Sequence, residues 1–201
     1  MRKYIAFIQS VTEKEWEVGK MLSDKINYNP DFLECKSDVF DVKTFQELKD
    51  KFNKVSLENR DASIIIVIYA HSDSKHLIFK DFNVPDKDYN GYIQLEEFDN
   101  VLTSLYKVHE TNVTVIFLSC HSSSYAKTIN SPHIPIIAAE GIVSSRRAGE
   151  QLDKFFDKVC TGSDTETAYN FMIESFPIED EKLRNEKDRS ILKLYNYAET
   201  T

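Results

Sequence analysis

Two hundred and one residues are enough chain for one domain with a real core, given a usual domain size of about 150 residues. Apolar residues make up 41%, aromatics 12% and charged residues 29%, the profile of a water-soluble globular chain and not of a disordered or fibrous one. The 25 Lys and Arg against 33 Asp and Glu leave a formal charge of −8 with no basic run to neutralise phosphates, which argues against nucleic acid, and the longest apolar runs, 64–70 and 134–139, fall far short of the roughly 20 residues a membrane span needs.

The chain begins Met1-Arg2-Lys3 and continues with an apolar stretch over 4–8 that is too short for a signal-peptide core, with no cleavage pattern before Glu13-Lys14-Glu15. A first strand over 3–10 is expected instead. Thr12, with Glu15 three residues on, is a cap for a helix whose Trp16, Met21, Leu22 and Ile26 share a face, and Asn29-Pro30 ends it. A weaker strand over 32–40 precedes a helix over 44–55, where Phe45, Leu48, Phe52 and Val55 recur at three and four residues. The run Ile64-Ile65-Ile66-Val67-Ile68-Tyr69 reads as a central parallel strand covered on both faces, stopping at Ala70-His71-Ser72-Asp73. Residues 76–79 can turn back as a hairpin, and 95–106 reads as a helix. A second buried strand over 113–119 stops at Cys120-His121, before a polar, Ser-rich loop. A strand over 135–143, a helix from Ser144 or Ser145 to about Gly162 and a helical segment over 164–176 follow. Nine of the thirteen residues over 178–190 are charged, so a solvated segment precedes a last apolar element at 191–197.

This alternation of strands and helices predicts an α/β three-layer sandwich: a mostly parallel central sheet of about six strands with helices on both faces, as a single domain over 1–201 with its core at 3–176. The three cysteines, Cys35, Cys120 and Cys160, are an odd set with no C-x-x-C spacing, so neither a disulfide framework nor a zinc ribbon is encoded, and a cytoplasmic location is expected. Cys35 and Cys160 read as core residues. The five glycines are scattered, which excludes a phosphate-cradling loop.

In open parallel sheets the ligand site lies at the carboxyl ends of the strands. Two such ends carry His71 and Cys120. A thiol and an imidazole on neighbouring strand ends are what nucleophilic catalysis on an acyl group needs, the sulfur attacking and the imidazole moving protons. An ordinary thiol is only a few per cent ionised at neutral pH, so a base beside it matters. The two stand forty-nine residues apart, near the interval of about 50 between the His and Cys of caspases.

At Ile65 to His71, at Val115 to Cys120, and at the strand from Ile136 leading into Ser145 to Phe156, the chain resembles the caspase-like cysteine peptidases, over roughly residues 3–176. The surroundings Leu118-Ser119-Cys120-His121-Ser122 look more like the CHAT and metacaspase types than the Q-A-C-x-G of true caspases. The resemblance implies a cysteine endopeptidase with His71 and Cys120 catalytic, a protein or peptide substrate, a regulatory protein as a further partner, no required cofactor, and an oxyanion hole made by the backbone N–H groups of Ser72 and Cys120. Ser72 stands where the family usually has Gly. It also implies a pocket that reads the residue before the scissile bond, for which Asp73 and Glu140 are candidate acids selecting a basic side chain, while Arg146 and Arg147 would select an acidic one. The net negative charge favours the basic choice. The rival reading is a catalytically inactive caspase-like interaction module.

A separate motif, Asp86-Lys87-Asp88-Tyr89-Asn90-Gly91 continuing to Glu97, matches the twelve-residue calcium loop, with Asp86, Asp88, Asn90 and Glu97 as oxygen ligands for Ca2+. Pro85 and a strand-like run stand where an entering helix belongs, and the same residues suit a polar turn.

Overall fold

The computed structural model describes residues 2–11, 17–73, 75–79, 91–109, 113–129, 134–176 and 192–195. The expected cap at Thr12 and Glu15, Trp16 and the charged segment 178–190 lie outside them. In chain order the first elements are β1 (Lys3–Ser10), α1 (Glu17–Tyr28), β2 (Cys35–Asp41), α2 (Phe45–Glu58), β3 (Ser63–Ser72), β4 (His76–Ile78) and β5 (Tyr92–Gln94). There follow α3 (Leu95–His109), β6 (Val113–Leu118), α4 (Ser123–Thr128), β7 (Ile136–Ala139), α5 (Ser145–Cys160), α6 (Thr165–Glu174) and β8 (Leu192–Tyr195).

Ile64, Ile66, Ile68 and Ala70 of β3 belong to one core cluster, and Ile65, Val67 and Tyr69 to a second, because successive side chains of a strand leave on opposite faces. None of the seven is more than 7% exposed. A strand with no solvent side has no polar alternation, which is what its sequence shows. β1 and β6 divide in the same way, with Tyr4, Ala6, Ile8, Val115 and Phe117 on one side and Ile5, Phe7, Ile116 and Leu118 on the other. The sheet order is β2-β1-β3-β6-β7-β8. Its first five strands are mutually parallel, and β8 runs antiparallel to β7. β4 folds back antiparallel on the end of β3, and β5 pairs with β4.

Helices α1, α5 and α6 cover one face through Leu22, Ile26, Leu152, Phe155, Ala168 and Met172. Helices α2, α3 and α4 cover the other through Leu48, Phe52, Phe98, Leu102, Tyr125 and Ala126. Handedness explains why α1 lies on one face and α2, α3 and α4 on the other. The chain steps from β1 outward to β2, then back across β1 to β3 and on to β6 and β7, and right-handed crossovers taken in opposite directions must lie on opposite faces. α1 and α5 cross closely, since a Cβ on Gly149 would stand 2.9 Å from Val18 Cγ1. The helix starts follow their sequence signals at α2, where Thr44 accepts from the Glu47 N–H at 3.1 Å, and at α6, where Asp164 accepts from the Thr167 N–H at 2.7 Å. Ser144 precedes α5 without a side-chain cap.

The α/β sandwich therefore has the expected layers, with differences in its parts. β3 continues three residues past Tyr69 because β4 pairs with its end, His71 opposite Ile78 and Ser72 opposite Leu77. β7 covers four residues instead of nine, since the chain from residue 140 turns away to meet the loop after β6. The Ser-rich loop contains a helical turn, α4, because Tyr125 and Ala126 are buried within it. β2 starts at Cys35, not at Phe32, whose N–H closes a turn on the Asn29 carbonyl. No helix of the described residues is long and apolar enough to cross a membrane.

Ile66 lies fully buried at the middle of β3. Ile66→Ala should lower stability by about 2–5 kcal/mol, since packing on both faces leaves the cavity little room to relax. Urea unfolding should show this as a lower midpoint with an unchanged slope.

Candidate functional site

His71 is the penultimate residue of β3 and is exposed. Cys120 follows β6 by two residues and is half-buried. The β3/β6 ladder closes with Tyr69 opposite Leu118, and beyond it the chain after β6 enters a turn in which the Ser122 N–H bonds the Ser119 carbonyl. Tyr69 and Leu118 both face the core under α1, α5 and α6. Val143, packed against the same core, donates its N–H to Cys120 Sγ at 3.5 Å. That bond holds the sulfur on the side toward α5.

The backbone around the two residues is tied from several directions. Ser72 Oγ donates to the Cys120 carbonyl, joining the two strand ends directly. The Tyr125 hydroxyl donates to the carbonyls of Asp73 and His76, the latter at 2.6 Å. Burial raises this phenol to about 12, so it remains a donor throughout the neutral range. Behind Cys120, Ser122 Oγ donates to the Phe117 carbonyl at 3.3 Å and accepts the Ala139 N–H at 2.9 Å, fixing the turn to both β6 and β7. Between them His121 adopts a left-handed backbone with φ 55°, and its N–H bonds the Gly141 carbonyl at 2.8 Å. A positive φ on a non-glycine residue stores strain and persists only where its surroundings hold it.

The phase of the β3/β4 hairpin sets the direction of the Ser72 N–H. The Asp73 N–H bonds the His76 carbonyl at 3.1 Å, so 73 and 76 form a hydrogen-bonded pair. Antiparallel pairs alternate, so Ser72 and Leu77 form a non-hydrogen-bonded pair, and the Ser72 N–H points away from β4. β6 and Cys120 lie on that other side.

The candidate specificity acids have structural partners. Asp73 Oδ1 accepts the N–H groups of Lys75 and His76, both at 2.7 Å, and Oδ2 meets His76 Nδ1 at 3.1 Å. Burial pushes this carboxyl up, but the bonds from Lys75 and His76 outweigh it and leave it below the usual carboxylate range. Glu140 pairs with Lys193 at 2.8 Å. That bond lowers its carboxyl and ties the end of β7 to β8. Of the arginines, Arg146 is exposed and bonds Glu150 at 3.0 Å along the helix, whereas Arg147 is half-buried. The Ser145 and Tyr69 hydroxyls hydrogen-bond, linking the start of α5 to β3.

The proposed calcium ligands divide between two regions. Asp86, Asp88 and Asn90 lie outside the described residues, while Glu97 is exposed in the first turn of α3. Among the described residues no group of three or more His, Cys, Asp or Glu could hold a metal ion. Tyr125, Ser122 and the Val143 N–H escape sequence reasoning. Tyr125 sits in a six-residue helix too short to show a period, and the other two act through a small hydroxyl and a backbone group that leave no compositional signal.

No protein-family model matches the sequence, and no curated protein matches it. Solved structures do resemble the fold. A secreted C11 cysteine protease from Bacteroides thetaiotaomicron, solved in complex with an irreversible peptide inhibitor, matches with a TM-score of 0.56 and 10% identity, over 88% of this chain and 59% of that one. Caspase-1 from Spodoptera frugiperda matches with a TM-score of 0.64 and 13% identity, over 97% of this chain and 86% of that one. The Drosophila initiator caspase Dronc matches with a TM-score of 0.65 and 10% identity, over 97% and 79%. The chain thus spans well under two thirds of the Bacteroides protease. What these matches establish is a caspase-like α/β fold.

The Asp73 turn makes stability depend on pH. Its lowered carboxyl contributes stability that is complete above the ordinary Asp range and is lost as pH falls through the lowered value. Asp73→Ala should therefore destabilise the protein at pH 7, and the gap between wild type and variant should narrow at pH 3, measured by urea unfolding at both.

Proposed function

We propose that this caspase-like domain is a cysteine endopeptidase in which Cys120 is the nucleophile and His71 the general acid and base. What supports this reading is the approach of the two strand ends: the β3/β6 ladder closes with Tyr69 opposite Leu118, and just beyond it Ser72, next to His71, bonds the Cys120 carbonyl through its hydroxyl. In the mechanism, His71 takes the Cys120 proton and the sulfur attacks the scissile carbonyl. The oxyanion is met by the N–H of Ser72, which points away from β4, and by the N–H of Cys120. Collapse of this intermediate expels the amine, protonated by His71, and leaves a thioester that water hydrolyses by the same route. Ser72 in place of Gly is compatible with this role, since the donor is the backbone and the side chain is engaged with the Cys120 carbonyl.

The finer features of the reading are a CHAT or metacaspase type of site, a cytoplasmic setting and an external regulatory protein. A preference for cleavage after a basic residue rests on the net charge and on Asp73 and Glu140. Both carboxylates are committed to neighbours, so Asp73→Asn and Glu140→Gln separate their local role from any part in selectivity. The rival reading, a caspase-like module that binds partners without catalysis, is favoured by the absence of the family's Gly at Ser72.

A fluorogenic peptide library and an acyloxymethyl ketone probe distinguish the two. The probe should label Cys120 in the wild type and leave Cys120→Ala unlabelled, and His71→Ala should lower kcat by about 10²- to 10⁴-fold. The library should show turnover after Arg or Lys and little after Asp. Absence of both cleavage and labelling, even with activators added, would make the protein an interaction module.

A further inference from the structure

Cys35 and Cys160 lie at the opposite end of the sheet from Cys120, where β2 starts and α5 ends. Both are buried, at 6% and 7% exposure, and neither is in a disulfide. A buried cysteine by itself is most often an inert small hydrophobe. These two are neighbours: the Cys35 thiol donates to the Cys160 carbonyl at 3.9 Å, and both residues line one groove.

A cation completes the group. Lys3 stands level with Cys35 in the β1/β2 ladder, and its ammonium donates to the carbonyls of Val159 and of Ser163, the latter at 2.8 Å. Lys3 thereby carries its charge into the same groove as both cysteines. The three residues line a groove of about 320 Å³ together with Thr114, Asp164 and Thr165. The groove is wide enough for a small oxidant, and the peptidase chemistry at the other end of the sheet uses none of these groups.

We propose that Cys35 and Cys160 are a peroxide-reactive dithiol, in which Cys35 is oxidised first and Cys160 resolves it to a disulfide. Cys35 Sγ attacks hydrogen peroxide, the O–O bond breaks, and a sulfenic acid and one water are formed. Cys160 Sγ then attacks the sulfenic sulfur, the S–O bond breaks, and a second water leaves. Two thiols are oxidised and one peroxide is reduced. The order of the steps follows from the surroundings. Donation from Cys160 holds the Cys35 thiol below its usual range, with burial opposing and the Lys3 charge assisting. The same bond and burial push Cys160 far up. Of the two, Cys35 is the better disposed to react first.

The bond would join β2 to the end of α5 between residues 125 apart in sequence, a long loop of the kind whose closure constrains the unfolded chain. Its formation does not depend on the protein being a peptidase.

The test uses folded Cys120→Ala protein, so that no site thiol competes. After a brief peroxide exposure the protein is quenched, denatured and alkylated. The expected result is loss of both alkylatable thiols, a Cys35–Cys160 cross-linked peptide that dithiothreitol removes, and a higher Tm for the oxidised form. Adding Cys160→Ser should stop the reaction at a dimedone-trappable sulfenic acid on Cys35, whereas adding Cys35→Ser should leave Cys160 unmodified. Full alkylation of both thiols after an exposure that oxidises Cys120 in the wild type would overturn the proposal. So would a cross-link between two molecules or first oxidation at Cys160.

Discussion

Ile64 to Ile68 leave water on both sides of the sheet at once, and that double burial dictates what surrounds them. Burying a large aliphatic side chain contributes about 1.5–3 kcal/mol, but only if a helix layer covers each face. A strand between two layers takes its neighbours in parallel, joined by crossovers. Parallel strands point their carboxyl ends the same way. The packing of five consecutive apolar residues therefore delivers the ends of β1, β3 and β6 to one rim of the molecule, and the polar residues that follow β3 and β6 meet there.

Covalent and steric constraints at that rim sharpen a coarse placement into a site. The ladder closes with Tyr69 opposite Leu118, two residues short of His71 and of Cys120, and strand ends fray. Here the ends are held by Tyr125 against the loop after β3, by Ser122 between β6 and β7, and by Ser72 across to the Cys120 carbonyl. Each such bond contributes only about 0.5–1.5 kcal/mol net. Their value lies in position, because proton transfer and nucleophilic attack tolerate little displacement. The left-handed His121 belongs to the same economy of position. It turns the chain at once after Cys120, so that the chain after β7 closes on this turn, Gly141 through the His121 N–H and Val143 through Cys120 Sγ.

The layers and the abrupt ends of β3 and β6 next to His71 and Cys120 were legible because they depend on period and on sharp changes from apolar to polar. Ile64 to Ile68 could only be a doubly covered strand, and Phe45, Leu48, Phe52 and Val55 only a helix face. What was not legible depends on distant partners. The extension of β3 through Ser72 exists because β4 returns to pair with it. β7 ends early because Gly141 and Val143 are engaged by the turn after β6, through the His121 N–H and Cys120 Sγ. Asp73 and Glu140 read as candidate acids of a specificity pocket, and only the fold supplies the Lys75 and His76 N–H groups and the Lys193 ammonium that engage them. The odd count of three cysteines argued against a disulfide framework, and it gave no sign that two of them are neighbours.

The parallel register also governs when the molecule becomes competent. Lys3 pairs with Ser63 and Ile64 with Val113, so the central ladders join segments fifty to sixty residues apart, and such non-local pairing makes folding slow compared with a helical domain of equal size. No local segment contains both His71 and Cys120 in contact. In a nascent or partly unfolded chain the ends of β3 and β6 are strangers to one another. Assembly of the sheet is thus the step that brings them, and the polar residues that follow them, to one rim.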